Sequence, residues 1–90
     1  MSTAKIVIYL TRWCAYCARA KSLLEEKGVP FEAIDVEARP EARAEMLAKS
    51  GRRTVPQIFI GDVPLGGCED LMAREADGTL DSLINPRITS

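Results

Sequence analysis

The chain has 90 residues, of which 47% are apolar, and its 12 basic and 13 acidic side chains leave a net charge of -1. This length predicts one domain over residues 1–90, with a core from about residue 5 to residue 84. The balanced charge argues against a polyanion-binding surface, so we expect no nucleic-acid partner. The N-terminus lacks a signal-peptide pattern, and no run reaches the roughly 18 apolar residues of a membrane span, so we expect a cytoplasmic protein without membrane contact.

The first half of the chain predicts two strands that alternate with two helices. Residues 5–10 (KIVIYL) are dense in β-branched and aromatic side chains and show no polar alternation after Lys5, which is typical of a strand buried on both faces. Residues 15–27 carry apolar side chains at helical spacing, and Gly28 is suited to end that helix. Residues 31–36 predict a second strand, and a second helix begins at Arg39-Pro40 and runs to about Ser50.

The second half predicts a hairpin followed by helices. Residues 57–60 (QIFI) and 63–65 are short strands joined by Gly61-Asp62, a connection suited to antiparallel pairing. Residues 68–76 predict a third helix, and residues 79–84 a last short helix with Thr79 as its N-cap, before a polar tail that begins at Asn85. The order β-α-β-α-β-β-α predicts an α/β fold with a four-stranded mixed sheet flanked by helices.

The thiol chemistry of the chain centres on the segment Cys14-Ala15-Tyr16-Cys17. Because it falls where a buried strand gives way to a helix, Cys14 would meet the unpaired N–H groups and the positive dipole end that stabilise a thiolate. The same spacing supplies half of many zinc sites, but such a site needs four ligands, and the chain has no histidine and only one further cysteine, Cys68. We therefore predict redox chemistry, with Cys14 as the attacking thiolate and Cys17 as the resolving thiol.

Two further segments indicate a binding site. Thr54-Val55-Pro56 precedes a strand, and a cis Pro56 would expose the backbone of Val55 to pair with an extended peptide; an ordinary trans proline is the alternative. Gly66-Gly67-Cys68-Glu69-Asp70 places paired glycines before a helix N-terminus, which suits a carboxylate ligand, although a plain tight turn is the alternative.

Together these three segments, in this order and spacing, resemble the glutaredoxins, and the similarity spans residues 6–83. The nearest match is the bacterial dithiol type of glutaredoxin 3. The resemblance implies a thioredoxin-like fold, glutathione as cosubstrate, and reduction of glutathionylated or disulfide-bonded client proteins by a monomer.

The resemblance also implies roles for individual residues. Val55 would pair its backbone with the cysteinyl unit of glutathione, the segment 68–70 would hold the γ-glutamyl group, and Arg53 and Gln57 would approach the glycine carboxylate. The residues expected to bind glutathione are Thr11, Arg12, Tyr16, Arg53, Thr54, Val55, Pro56, Gln57, Gly67, Cys68, Glu69 and Asp70.

Two positions depart from the family pattern. The family often has a lysine where Thr11 stands, so Arg12 or Arg53 would have to supply the missing cation. The family usually has proline where Ala15 stands, and glutaredoxins without that proline include some that bind a 2Fe-2S cluster between two subunits through the first cysteine of each and two glutathiones. The alternative to a disulfide reductase is therefore a cluster-binding dimer with Cys14 as the iron ligand.

Overall fold

The computed structural model describes residues 5–61 and 63–84. Eight elements follow one another along the chain: β1 (Ile6–Leu10), α1 (Ala15–Glu26), β2 (Glu32–Asp35), α2 (Pro40–Ser50), β3 (Gln57–Ile60), β4 (Val63–Gly66), α3 (Cys68–Asp77) and α4 (Thr79–Ile84). The predicted order of strands and helices is confirmed. Among the helices that the structure describes, none is long and apolar enough to cross a membrane.

The four strands form one mixed sheet in the order β2-β1-β3-β4. β1 pairs parallel with β2, whereas β3 pairs antiparallel with both β1 and β4. The parallel pair of β1 and β2 needs a crossover connection, which α1 provides. The antiparallel pair of β3 and β4 needs only a short connection. The predicted α/β fold with a thioredoxin-like mixed sheet is thus confirmed.

The central strand β1 is buried on both faces because its side chains alternate between two core clusters. Ile6 and Ile8 face the side covered by α1, α3 and α4, and pack with Leu24 among others. Tyr9 faces the side covered by α2, where its ring meets Phe59 edge to face at 5.7 Å. Two apolar faces explain why β1 shows no polar alternation.

The ends of three elements meet at one edge of the sheet. Residue Tyr9, near the end of β1, pairs with Gln57 at the start of β3, and Ile58 pairs with Gly66 at the end of β4. The chain before α1, the chain before β3 and the chain before α3 therefore converge at this edge. That convergence places the three motifs of the sequence together.

Some details of the prediction are corrected. The second strand spans Glu32–Asp35 rather than residues 31–36, because Asp35 ends it by accepting hydrogen bonds from the backbone amides of Glu37 and Ala38, which turn the chain toward α2. Thr79 is the first residue of α4 rather than its N-cap, since its backbone N–H and hydroxyl both donate to the carboxylate of Asp77. The predicted turn residue Asp62 and the polar tail 85–90 lie outside the described residues.

Candidate active site

The sulfur of Cys14 caps the N-terminus of α1. The backbone of Cys14 is extended, and its Sγ accepts a hydrogen bond from the backbone N–H of Cys17 at 3.3 Å. The carbonyl of Cys14 accepts the next helical bond from the N–H of Ala18 at 3.1 Å. The side chain is partly exposed. A sulfur in this position faces solvent and receives an N–H donor that favours negative charge.

The second cysteine of the motif has a different environment. Cys17 lies one turn into α1 and is only 2% exposed. Burial raises the pKa of its thiol to about 12, with further increases from Cys14 and Cys68, while a hydrogen bond from the backbone of Thr11 works in the opposite direction. Since only the thiolate is a nucleophile, Cys17 is a protonated and sheltered thiol beside an accessible one.

The peptide bond between Val55 and Pro56 is cis, which is one of the two forms that the motif before β3 left open. The carbonyl oxygen of Val55 accepts a weak hydrogen bond from the thiol of Cys14, with the sulfur 3.9 Å from the oxygen. The structure therefore brings the backbone of this segment next to the reactive sulfur, although the two residues are 41 positions apart in the chain.

An open cavity of about 270 Å³ lies beside this contact, and we refer to it as the active-site cavity. Its walls are formed by Tyr16, Arg52, residues 54–57 and residues 67–70. The first turn of α1, the cis-proline segment and the start of α3 thus enclose one space. Most of the side chains predicted from the sequence for ligand binding belong to this lining.

The start of α3 is held by one carboxylate. Gly67 caps the helix, and its backbone N–H donates to Oδ2 of Asp70 at 2.9 Å, which forms half of a capping box. Gly66 has a φ of +115°, and a side chain there would collide with Asp70, so this position requires glycine. A side chain at Gly67 would come within 3.4 Å of the carbonyl oxygen of Pro56, which shows how closely the two segments approach.

The side-chain amide of Gln57 donates its hydrogen bonds to another residue of the protein. It is 2% exposed, and its Nε2 donates to the carbonyl oxygen of Thr54 at 3.0 Å and to the hydroxyl of Thr54 at 3.3 Å. Gln57 therefore fixes the loop that forms one wall of the cavity.

The basic residues that the sequence predicted for ligand binding do not lie together in the structure. Arg53 does not reach the active-site cavity; it lines a second groove of about 390 Å³ with residues of α2. Arg52, which the sequence reasoning missed, lines the cavity instead and forms a half-exposed ion pair with Asp70 at 3.5 Å. Thr11 and Arg12 lie before α1, where the guanidinium of Arg12 stands 6.0 Å from the ring centre of Trp13.

The region around the cavity brings together the accessible thiol of Cys14, the sheltered thiol of Cys17, the backbone of the cis-proline segment and the N-terminus of α3. Within the described residues, no group of three or more histidine, cysteine, aspartate or glutamate side chains could hold a metal ion. A pair of thiols with these two environments has the groups that thiol-disulfide exchange requires.

Comparison with known proteins agrees with this arrangement. The family model for glutaredoxin matches residues 6–65, so the chain belongs to the glutaredoxin family, whose members are generally oxidoreductases. It is similar to glutaredoxin 3 of Escherichia coli, with 48% identity over 81 residues that cover 90% of this chain and 98% of the relative. The resemblance read from the three motifs is confirmed.

Solved structures give the same result. The solution structure of a glutaredoxin from Brucella melitensis has 55% sequence identity and a TM-score of 0.82, covering 94% of this chain and 92% of that chain. A crystal structure of a buckwheat glutaredoxin-glutathione complex has 32% identity and a TM-score of 0.81, covering 88% of this chain and 74% of that chain.

Proposed function

We propose that this protein is a glutathione-dependent thiol-disulfide oxidoreductase that reduces glutathione mixed disulfides and protein disulfides. The observation that carries the proposal is the position of the Cys14 sulfur. It caps α1, it lies 3.9 Å from the carbonyl oxygen of Val55, and the active-site cavity opens beside that residue. We further propose that the protein acts as a monomer in the cytoplasm, where the glutathione pool keeps thiols reduced.

Glutathione would occupy the active-site cavity. Its cysteinyl backbone would pair with Val55 as an added strand pairs with a sheet edge, which places its sulfur at Cys14. The γ-glutamyl carboxylate would accept hydrogen bonds from the backbone N–H groups of Cys68 and Glu69 at the start of α3. The glutathione complex of the buckwheat relative supports this ligand.

The glycine carboxylate of glutathione needs a cation or amide donor. We propose that Arg52 supplies it, because this side chain lines the cavity whereas Arg53 lies in the second groove. Gln57 would contribute by holding Thr54 in place, since its amide is already bonded there. The proposed role thus moves by one residue from that implied by the family resemblance.

The reaction with a glutathionylated client needs one cysteine. The thiolate of Cys14 attacks the glutathione sulfur of the mixed disulfide, so that a disulfide forms between Cys14 and glutathione and the client leaves as a thiolate that takes a proton. A second glutathione thiolate then attacks the glutathione sulfur bound to Cys14. Oxidised glutathione leaves, and Cys14 returns to its thiolate form.

The reaction with a client disulfide needs both cysteines. Cys14 attacks one client sulfur and forms a mixed disulfide, and the second client sulfur leaves as a thiolate. Cys17 then attacks the sulfur of Cys14 and loses its proton to the departing client thiolate, which leaves a disulfide between Cys14 and Cys17. Two glutathione molecules reduce that bond and become oxidised glutathione.

The proposal is tested by comparing two variants in both reactions. Cys14→Ser should abolish reduction of a glutathionylated peptide and of a protein disulfide, whereas Cys17→Ser should retain the first activity and lose the second. Val63→Ala, an exposed position on the edge strand β4, serves as the surface control. Loss of both activities in Cys17→Ser would contradict the one-cysteine reaction.

A second candidate function is cluster binding between two subunits. Cys14 is the one described cysteine that is not buried, and Ala15, where the family usually has proline, is exposed beside it. These residues fit a 2Fe-2S cluster that takes Cys14 from each of two copies and two glutathiones, and such a cluster would withdraw Cys14 from disulfide exchange. Anaerobic reconstitution with iron, sulfide and glutathione should give a coloured dimer that Ala15→Pro weakens; a colourless monomer would dismiss this function.

A further inference from the structure

Two large exposed aromatic side chains flank the reactive cysteine. Trp13 is 83% exposed and Tyr16 is 57% exposed. In the part of the chain that the structure describes, the other exposed large hydrophobic side chains are Leu47 on α2, at 37%, and Val63 on β4, at 47%. Two of these four exposed side chains therefore lie within two positions of Cys14. Exposed apolar residues are normally scattered singly over a protein surface, so this clustering needs an explanation.

The active-site cavity explains only one of these two aromatic residues. Tyr16 belongs to the cavity lining, so a ligand in the cavity would cover part of its ring. Trp13 is not among the described residues that line the cavity, and its side chain extends into solvent from the residue just before the cap of α1. A small thiol cosubstrate seated in the cavity would leave the Trp13 ring exposed.

A protein client differs from a small cosubstrate at this place. In the mixed disulfide the client chain is bonded to the sulfur of Cys14, and adjacent residues have α-carbons only about 3.8 Å apart. Client residues next to the reactive cysteine therefore lie close to the Cys14 sulfur, on the surface to which the adjacent residue Trp13 belongs. Tryptophan is the side chain that most often dominates a contact surface, because it buries a large rigid area at small entropic cost.

The positive charge near Trp13 indicates which kind of client segment would bind there. The guanidinium of Arg12 lies 6.0 Å from the Trp13 ring centre, and Arg19 is exposed one turn beyond Tyr16 on the same face of α1. The ion pairs of the described residues involve neither arginine. A carboxylate on the client would therefore find an available cation beside an apolar surface.

We propose that Trp13 is a docking residue for protein clients, which covers the apolar side chain next to the client cysteine while Arg12 favours an acidic residue nearby. The inference rests on the proposed function only in taking Cys14 as the nucleophile, since Trp13 would have no such role in the reaction with glutathione alone. It makes Trp13 a determinant of client choice.

The single tryptophan of the chain reports its own contact. The Cys17→Ser variant is loaded at Cys14 with one of three probes, each supplied as its 2-thiopyridyl disulfide: glutathione, a peptide whose cysteine is flanked by phenylalanine and glutamate, or the same peptide with glycine and serine in their place. The Cys14 thiolate displaces thiopyridone and forms the mixed disulfide. Mass spectrometry verifies one adduct, which is absent when Cys14 is also replaced by serine.

The expected result is a shift of the tryptophan emission to shorter wavelength and at least about a twofold loss of acrylamide quenching with the apolar acidic peptide. Glutathione and the glycine-serine peptide should leave both signals near those of the free protein. Equal quenching of all three adducts, or an equal change with glutathione, would overturn the proposal. Neither fluorescence signal depends on turnover. The docking role of Trp13 is therefore tested separately from the glutathione-dependent activity.

Kinetics provide the second readout. Trp13→Ala should raise the KM for a client with an apolar residue beside its disulfide by about three- to tenfold, with little change for a glutathionylated small thiol, and Trp13→Phe should recover most of the loss. Val63→Ala, at an exposed apolar position on the edge strand β4, should change neither value. Equal losses on both substrates in Trp13→Ala would contradict a docking role.

Discussion

The buried thiol of Cys17 should be nearly inert to alkylation while the protein is folded. Its pKa rises from an ordinary value of 9.0 to about 12 because the side chain is removed from water. At pH 7 the thiolate fraction falls from about one molecule in 100 to about one in 100,000. A more basic thiolate is intrinsically more nucleophilic, which restores about 15- to 30-fold over three pKa units. The net expectation is alkylation about 30- to 60-fold slower than in the unfolded chain, before any steric shielding is counted.

The assay is a time course of iodoacetamide labelling of the reduced protein at pH 7, folded and in denaturant. Trypsin releases both thiols in one fragment, Trp13–Arg19, so tandem mass spectrometry must assign the label to Cys14 or Cys17. Label should accumulate on Cys14 in the folded protein and on both residues in the unfolded one. Comparable rates at Cys17 in both states would show that burial does not protect this thiol, and the division of roles between the two cysteines would fail.

Two further substitutions test the active-site cavity and the ion pairs of Lys27. Arg52→Ala should raise the KM for glutathione by about three- to tenfold, whereas Arg53→Ala, its immediate neighbour, should change it little; the reverse order in steady-state assays would return the role to Arg53. Lys27→Met should cost about 1–2 kcal/mol of unfolding free energy in urea titrations, because Nζ of Lys27 pairs with Glu75 at 2.7 Å and with Asp81 at 2.9 Å. These pairs raise the pKa of Lys27, so their contribution should persist below its ordinary value of 10.5 and disappear as pH rises through the higher folded value; a difference between the two proteins that grows above that value would contradict the pairing.

The sequence was sufficient for the fold because local patterns agreed with the packing. The apolar run of β1 contains side chains for both core clusters, so its burial on both faces was readable without a structure. Cys14 was placed correctly because its position depends only on where a strand ends and a helix begins. The cis bond at Pro56 was one of two forms that the sequence left open, because a proline at the start of a strand is more often trans.

The sequence was insufficient where two adjacent residues were chemically alike. Arg52 and Arg53 both offer a guanidinium, and the path of the backbone after the left-handed residue Gly51 decides which one enters the cavity. Gln57 has donors that would suit a carboxylate, but the fold directs them to Thr54. Hydrogen bonds of this kind depend on the full tertiary arrangement, which periodicity does not encode.

The proposed function requires that Cys14 carries glutathione as a covalent intermediate. The most direct measurement mixes the Cys17→Ser variant rapidly with a glutathionylated peptide, quenches with acid at successive times, and quantifies the glutathione adduct on Cys14 by tandem mass spectrometry. We expect the adduct to form as fast as the peptide thiol is released and to disappear at the steady-state rate when free glutathione is added. Release of the peptide thiol without an adduct on Cys14, or an adduct that glutathione does not discharge, would contradict it.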